Sequence, residues 1–137
     1  MRRILIGLAL VLAALPASAQ TRDELWEHCE DDNPDLSIGG CTALIQSGQE
    51  TTENLANAFY NRGLAYRQNG LYDQAIADYT EALRLTPNDP GTYNNRGFAY
   101  EKKGERDMAI ADYRAALRID PNRQSALGNL QRLGVAP

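Results

Sequence analysis

The chain has 137 residues, with 14 lysines and arginines against 18 aspartates and glutamates, and a formal net charge of −4. That length allows one domain, and the acidic balance provides no basic surface able to neutralise phosphates. Nucleic acid and anionic membrane are thereby excluded as expected partners.

Arg2 and Arg3 form a positive head, Ile4 to Leu15 an apolar run, and Pro16 breaks it ahead of Ala17-Ser18-Ala19. This order is that of a cleavable export signal over residues 1–19, with cleavage near Ala19. The apolar run is too short for a membrane anchor, because about 30 Å of hydrocarbon needs roughly 20 helical residues. The paired arginines lack the rest of a twin-arginine motif, so general secretion to a periplasmic or external compartment is expected. Of the 14 basic residues, 12 remain after Arg2 and Arg3 are removed, against 18 acids, a net charge of −6.

Residues 20–55 hold a run of acids, Asp23, Glu24, Glu27, Glu30, Asp31, Asp32 and Asp35, and the stretch HCEDDNPDLSIGGC from His28 to Cys41. It contains both cysteines and the single histidine of the chain. Taken alone it allows a metal site, a redox centre or a structural staple.

Residues 56–89 align on residues 90–123 without a gap and with identity at half the positions, a period of 34. Asn61-Arg62-Gly63 recurs as Asn95-Arg96-Gly97, Ala75-Ile76-Ala77-Asp78-Tyr79 as Ala109-Ile110-Ala111-Asp112-Tyr113, and Pro87-Asn88 as Pro121-Asn122. In each unit the apolar and small residues follow helical spacing in two segments: Phe59, Gly63 and Tyr66, then Ala75, Tyr79, Ala82 and Leu83. Asn69-Gly70 separates the two helices, and Thr86-Pro87 ends the second because proline disfavours helical geometry in the residue before it. A lone hairpin of this kind cannot bury its apolar face, so successive hairpins must stack. Residues 124–137 finish the stack. Ala126, Leu127, Leu130 and Leu133 form one apolar stripe, and Gln124, Asn129, Gln131 and Arg132 give a polar outer face, the pattern of a capping helix. The expected fold is all-α, a helical-hairpin solenoid of about seven helices.

The places held by Phe59, Gly63, Tyr66, Ala75, Tyr79 and Pro87, and again by Tyr93, Gly97, Tyr100, Ala109, Tyr113 and Pro121, resemble the tetratricopeptide repeat. The departure is Arg62 and Arg96, where leucine usually precedes the glycine. The resemblance implies a right-handed superhelix whose first helices line a concave groove that takes an extended peptide or a partner helix. By register that groove would present Asn57, Tyr60, Asn61, Leu64, Arg67 and Gln68 from one unit, and Asn94, Asn95, Phe98, Glu101 and Lys102 from the next. Some members capture a C-terminal carboxylate with lysine and asparagine. Tyr60 and Leu64 stand where lysine and asparagine would be needed, so that recognition is not implied, and only Asn61 and Asn95 match.

Stepping back one repeat, Gly63 maps to Cys29 and Ala75 to Cys41, in a degenerate first hairpin over residues 22–55. These are the places where the resemblance brings two helices close, within reach of a disulfide. With export and an even cysteine count, a Cys29–Cys41 bridge is expected over zinc, which wants four ligands, or a thiol nucleophile, for which the adjacent His28 points elsewhere. The bridge would compensate for missing aromatic pairs and for Gly39-Gly40 near the start of the second helix; His28 reads as solvated. Arg62 and Arg96, turned toward the second helix, need carboxylates, and Asp78 and Asp112 are the candidates, with Arg96 to Asp78 as the alternative across units.

The functional expectation is a protein-interaction module for an envelope partner of unknown identity, with a self-assembling scaffold subunit, and so a homo-oligomer, as the alternative. No enzyme, cofactor or metal is expected, since no nucleophile-base arrangement, metal cluster or phosphate loop is visible.

Overall fold

The computed structural model describes residues 19–137; apart from Ala19, the predicted export signal lies outside the described residues. Seven helices follow one another: α1 (Arg22–Cys29), α2 (Pro34–Ser47), α3 (Thr52–Gln68), α4 (Tyr72–Leu85), α5 (Pro90–Lys102), α6 (Arg106–Ile119) and α7 (Gln124–Arg132). Among the described residues there is no strand, and no helix is long and apolar enough to cross a membrane. Three helical hairpins, α1–α2, α3–α4 and α5–α6, stack in sequence, and α7 packs on α6.

Local signals account for the helix boundaries. Thr21 and Glu24 form a reciprocal capping box on α1, Asn33 caps α2 ahead of Pro34, and Asp89 caps α5 ahead of Pro90. Thr51 caps α3, which therefore starts four residues before the repeat boundary at Ala56 and runs one turn longer at its N-terminus than α5. Gly70 and Gly104 close α3 and α5 with φ of 72° and 82°. The amide beyond each glycine bonds back to Tyr66 and Tyr100 at 2.8 and 2.9 Å, a geometry that a side chain at the glycine would strain.

The hairpins close on small residues. A Cβ placed on Gly63 would lie 2.7 Å from Tyr79 Cε1, and one on Gly97 would lie 2.9 Å from Tyr113 Cε1. Both tyrosines are fully buried, with Ala75 and Ala109 beside them. The bulk of each ring fills the space that the glycine leaves.

The first hairpin reaches the same end with different residues. Cys29 and Cys41 are joined in a disulfide with Cα atoms 4.6 Å apart, buried with Leu44 and Ala58. Gly39-Gly40 falls in the middle of α2, and Gly40 is no weak point: a Cβ there would meet Cys29 N, His28 Cβ and Leu25 O at 2.6 to 2.7 Å. It is the close-approach residue of this hairpin. His28, expected to be solvated, is half-buried against it and shares a hydrogen bond with Gln20 at 3.0 Å.

Candidate functional site

The first helices of the units, α1, α3 and α5, together with α7, line one face of the stack, and the ties between them run along a register of asparagines. Asn95 Nδ2 donates to the Tyr60 hydroxyl at 3.1 Å, and Asn129 Nδ2 donates to Asn94 Oδ1 at 3.1 Å. Asn61, one repeat earlier, points its amide at Cys29 Sγ, 3.9 Å away. Arg67 closes the middle tie by donating from Nη1 to Asn95 Oδ1 at 3.3 Å. Each asparagine thus hands its amide to the preceding first helix, which fixes the spacing of the face.

Internal bonding divides the residues that register places on this face. Tyr60, Asn94 and Asn95 use their polar groups within the stack. Glu101 does so as well: it accepts from the Tyr113 hydroxyl at 2.8 Å and takes the guanidinium fork of Arg132, whose Nη2 is 2.8 Å away. The Arg132 fork, followed by the Tyr113 hydroxyl, holds the Glu101 carboxyl below its ordinary range. Burial, aided by the Glu101 charge, raises the Tyr113 hydroxyl.

The remaining residues face outward. Asn57, Gln68 and Lys102 are exposed, and Leu64 and Phe98 are half-buried. The Phe98 ring has both Arg67 and Lys102 over it, at 5.3 and 5.2 Å from its centroid.

The two arginines that replace leucine lie on the other flank of the first helices. Arg62 Nε and Nη2 donate to Asp78 Oδ2 and Oδ1 at 2.7 and 2.8 Å, and Arg96 makes the same fork on Asp112 at 2.8 Å. The pairing is within each unit. The link across units is made by a hydroxyl: Arg62 Nη1 donates to Thr42 Oγ1 and Arg96 Nη1 to Thr80 Oγ1, each at 3.1 Å. Rings three residues before and four after stack on each guanidinium, Phe59 and Tyr66 on Arg62, Tyr93 and Tyr100 on Arg96. Each arginine therefore joins three helices, and these groups are structural rather than available to a ligand.

A cavity of about 300 Å³ opens where α1 meets α3. Its walls come from Asn61, Leu64, Ala65 and Gln68 of α3, from Cys29 and Ser37, and from Glu30, Asp31 and Asp32 of the α1–α2 loop. The opening exists because α1 is short. α1 ends at Cys29, in register with Gly63, whereas α3 continues to Gln68. Asn33 and Pro34, which start α2, occupy the places that would have continued α1. One repeat on from Leu64 stands Phe98, with Arg67 over its ring. The acids of this loop are plain in the sequence, and the repeat register, which sets Glu30 opposite Leu64, is the signal that would have put them on this face. Among the described residues no three His, Cys, Asp or Glu side chains converge to hold a metal ion.

Comparison with known proteins agrees with this architecture. Residues 63–104 match the family model described as TPR repeat, and residues 90–123 match the one described as tetratricopeptide repeat. The chain is similar to the Arabidopsis OM64 TPR domain, with 24% identity and a TM-score of 0.72 over 82% of this chain and 93% of that one. It is also similar to the first TPR of Spaghetti (RPAP3) bound to the HSP90 peptide SRMEEVD, at 20% identity and a TM-score of 0.72, over 82% and 86% of the two chains. A third likeness is to the APC/C hetero-tetramer Cut9–Hcn1, at 28% identity and a TM-score of 0.69, over 74% of this chain and 20% of that chain. No curated protein matches the sequence significantly. These findings support the tetratricopeptide-repeat family and an all-α, hairpin-solenoid fold.

Proposed function

We propose that the chain is an exported protein-interaction module, which holds a peptide or helix of an envelope partner along the face of α3 and α5, from the cavity at Leu64 to Phe98. The observation that carries this reading is the division of that face. Tyr60, Asn94, Asn95 and Glu101 lock the helices together, whereas Asn57, Leu64, Gln68, Phe98 and Lys102 keep amides, apolar surface and a charge turned outward beside an open cavity. Half-exposed Leu64 and Phe98 are suited to anchoring an apolar side chain, and the amides to backbone hydrogen bonds. The peptide-bound state of the Spaghetti domain is an analogy at the level of fold. The export signal read at residues 1–19 and the buried Cys29–Cys41 bridge support an oxidising compartment.

The test is site-specific photocrosslinking in cells expressing the full chain. A benzophenone side chain at Asn57 or Gln68 is expected to give discrete adducts in the envelope fraction, and one at Arg84, on the second-helix side, is not. Adducts from Arg84 alone would put the partner on the other face. Sedimentation of the purified protein separates the scaffold alternative, which requires concentration-dependent self-association.

A further inference from the structure

Among the described residues, no basic side chain pairs with the acids on the rim of the cavity at the α1–α3 junction. Glu30, Asp31 and Asp32 are all exposed along its rim, and among the described residues none of the three is in a salt bridge. Among the described residues, Asp31 bonds within its own loop, accepting from the Asn33 amide at 2.7 Å. The nearest basic residue of α3, Arg67, is turned away toward Asn95 and Phe98. Below the acidic rim the wall becomes apolar at Leu64 and Ala65 and polar but uncharged at Asn61 and Gln68. An apolar wall beneath a negative rim is complementary to a long aliphatic stem ending in a cation, the arrangement by which lysine and arginine bury their methylenes and keep their charge outside. At about 300 Å³ the opening has room for one long side chain. A metal ion does not fit, because the carboxylates do not converge.

Resting on the groove reading above, we propose that this cavity is a specificity pocket for a lysine or arginine side chain of the bound peptide, so that partners are selected for a basic residue at the α1 end of the groove. The chemistry is the reverse of carboxylate capture. The rim sits on the loop between the end of α1 at Cys29 and the start of α2 at Pro34.

The experiment uses protein expressed from the full 137-residue chain and fluorescent octapeptide pools, randomised except for one fixed lysine, arginine, glutamate or leucine, read by polarisation. Lysine- and arginine-fixed pools are expected to bind about tenfold more tightly than glutamate-fixed pools, the size of a few partly screened charge contacts. The preference should shrink as salt rises from 50 mM to about 500 mM, where the screening length falls well below 10 Å. The triple change Glu30→Lys, Asp31→Lys and Asp32→Lys, all at exposed positions, is expected to turn the preference toward glutamate while the helical signal is kept, with a small drop in the thermal melt from the loss of the Asp31 bond to the Asn33 amide. Equal binding of lysine and glutamate pools, or a preference that survives the triple change, would overturn the pocket while leaving the groove reading intact. No binding by any pool, or binding that blocks crosslinking at Arg84 and not at Gln68, would overturn the groove reading and the pocket with it.

Discussion

Arg62 and Arg96 show how a departure from a repeat pattern becomes a structural device. Their side chains retain only 16% and 17% exposure and their aspartate partners 7% and 8%, so neither charge could be left alone without a large desolvation cost. Asp112→Ala is therefore expected to cost more than the roughly 0.2 to 1 kcal/mol of an exposed pair, approaching about 3 kcal/mol, and Arg96→Leu added to it should recover most of the loss. Urea unfolding measures both; a double variant no better than the single one would mean that the guanidinium holds α5 by its ring stacking alone. The aspartates could be found in the sequence because they recur at a fixed offset from the arginines. Thr42 and Thr80 could not: one repeat on from Thr42 is Ile76, and one repeat back from Thr80 is Gln46, so the contact between units has no period to reveal it. Two glycines make a paired test of the packing. Gly63→Ala drives a methyl into the Tyr79 ring and should destabilise by about 1 to 3 kcal/mol, whereas Gly39→Ala meets nothing within 4 Å and should stabilise α2 by up to about 1 kcal/mol through helix propensity. Equal melting of the two variants would contradict the account of close approach.

At the level of elements, the first and last helices are held by means that the middle hairpins do not use. α1 has eight residues and is tied to α2 by the disulfide; Arg22 also reaches Glu50 with a two-point fork at 2.9 and 2.8 Å. Replacing both cysteines by serine frees the unfolded chain by about 3 kcal/mol on the loop-entropy estimate. Hydrogen exchange should then rise in α1 and α2 well before α5 and α6, and uniform acceleration would show that the bridge supports the whole stack. α7 is held through Glu101 and Arg132. Because the fork depresses the Glu101 pKa in the folded state, its contribution is present above the ordinary carboxylate pKa and is lost as pH falls below it. Acidification from pH 6 to about 3.5 should therefore loosen α7 first, seen as faster exchange at Leu130, and Glu101→Gln should remove most of that pH dependence. The pairing of the cysteines was legible from repeat register, and the capping stripe from its period. The short α1 was only half legible: Asn33-Pro34 marks the start of α2, but that the shortfall opens a cavity rather than being refilled by side chains depends on packing across the stack, which no local pattern records. The role of Gly40 is hidden for the same reason, since a glycine in a helix looks weak until the backbone it lies against is known.

At the scale of the molecule, the seven helices of the described residues, three hairpins and a final helix, place two populations of polar side chains on one face. One is consumed in ties that set the spacing of α3, α5 and α7; the other is open. The sequence put Tyr60, Asn61, Leu64, Asn95, Phe98 and Glu101 on a single face by register, but could not say which of them spend their hydrogen bonds internally, because that depends on partners 31 to 35 residues away. Amide chemical-shift mapping of the isotope-labelled protein, titrated with the tightest lysine-fixed octapeptide pool, locates the bound peptide on the stack. Groove binding predicts saturable shifts concentrated at Asn57, Asn61, Leu64, Gln68, Phe98 and Lys102, with α4 and α6 unmoved on their outer sides. Shifts confined to the outer surfaces of α4 and α6, or none at saturating peptide, would contradict it.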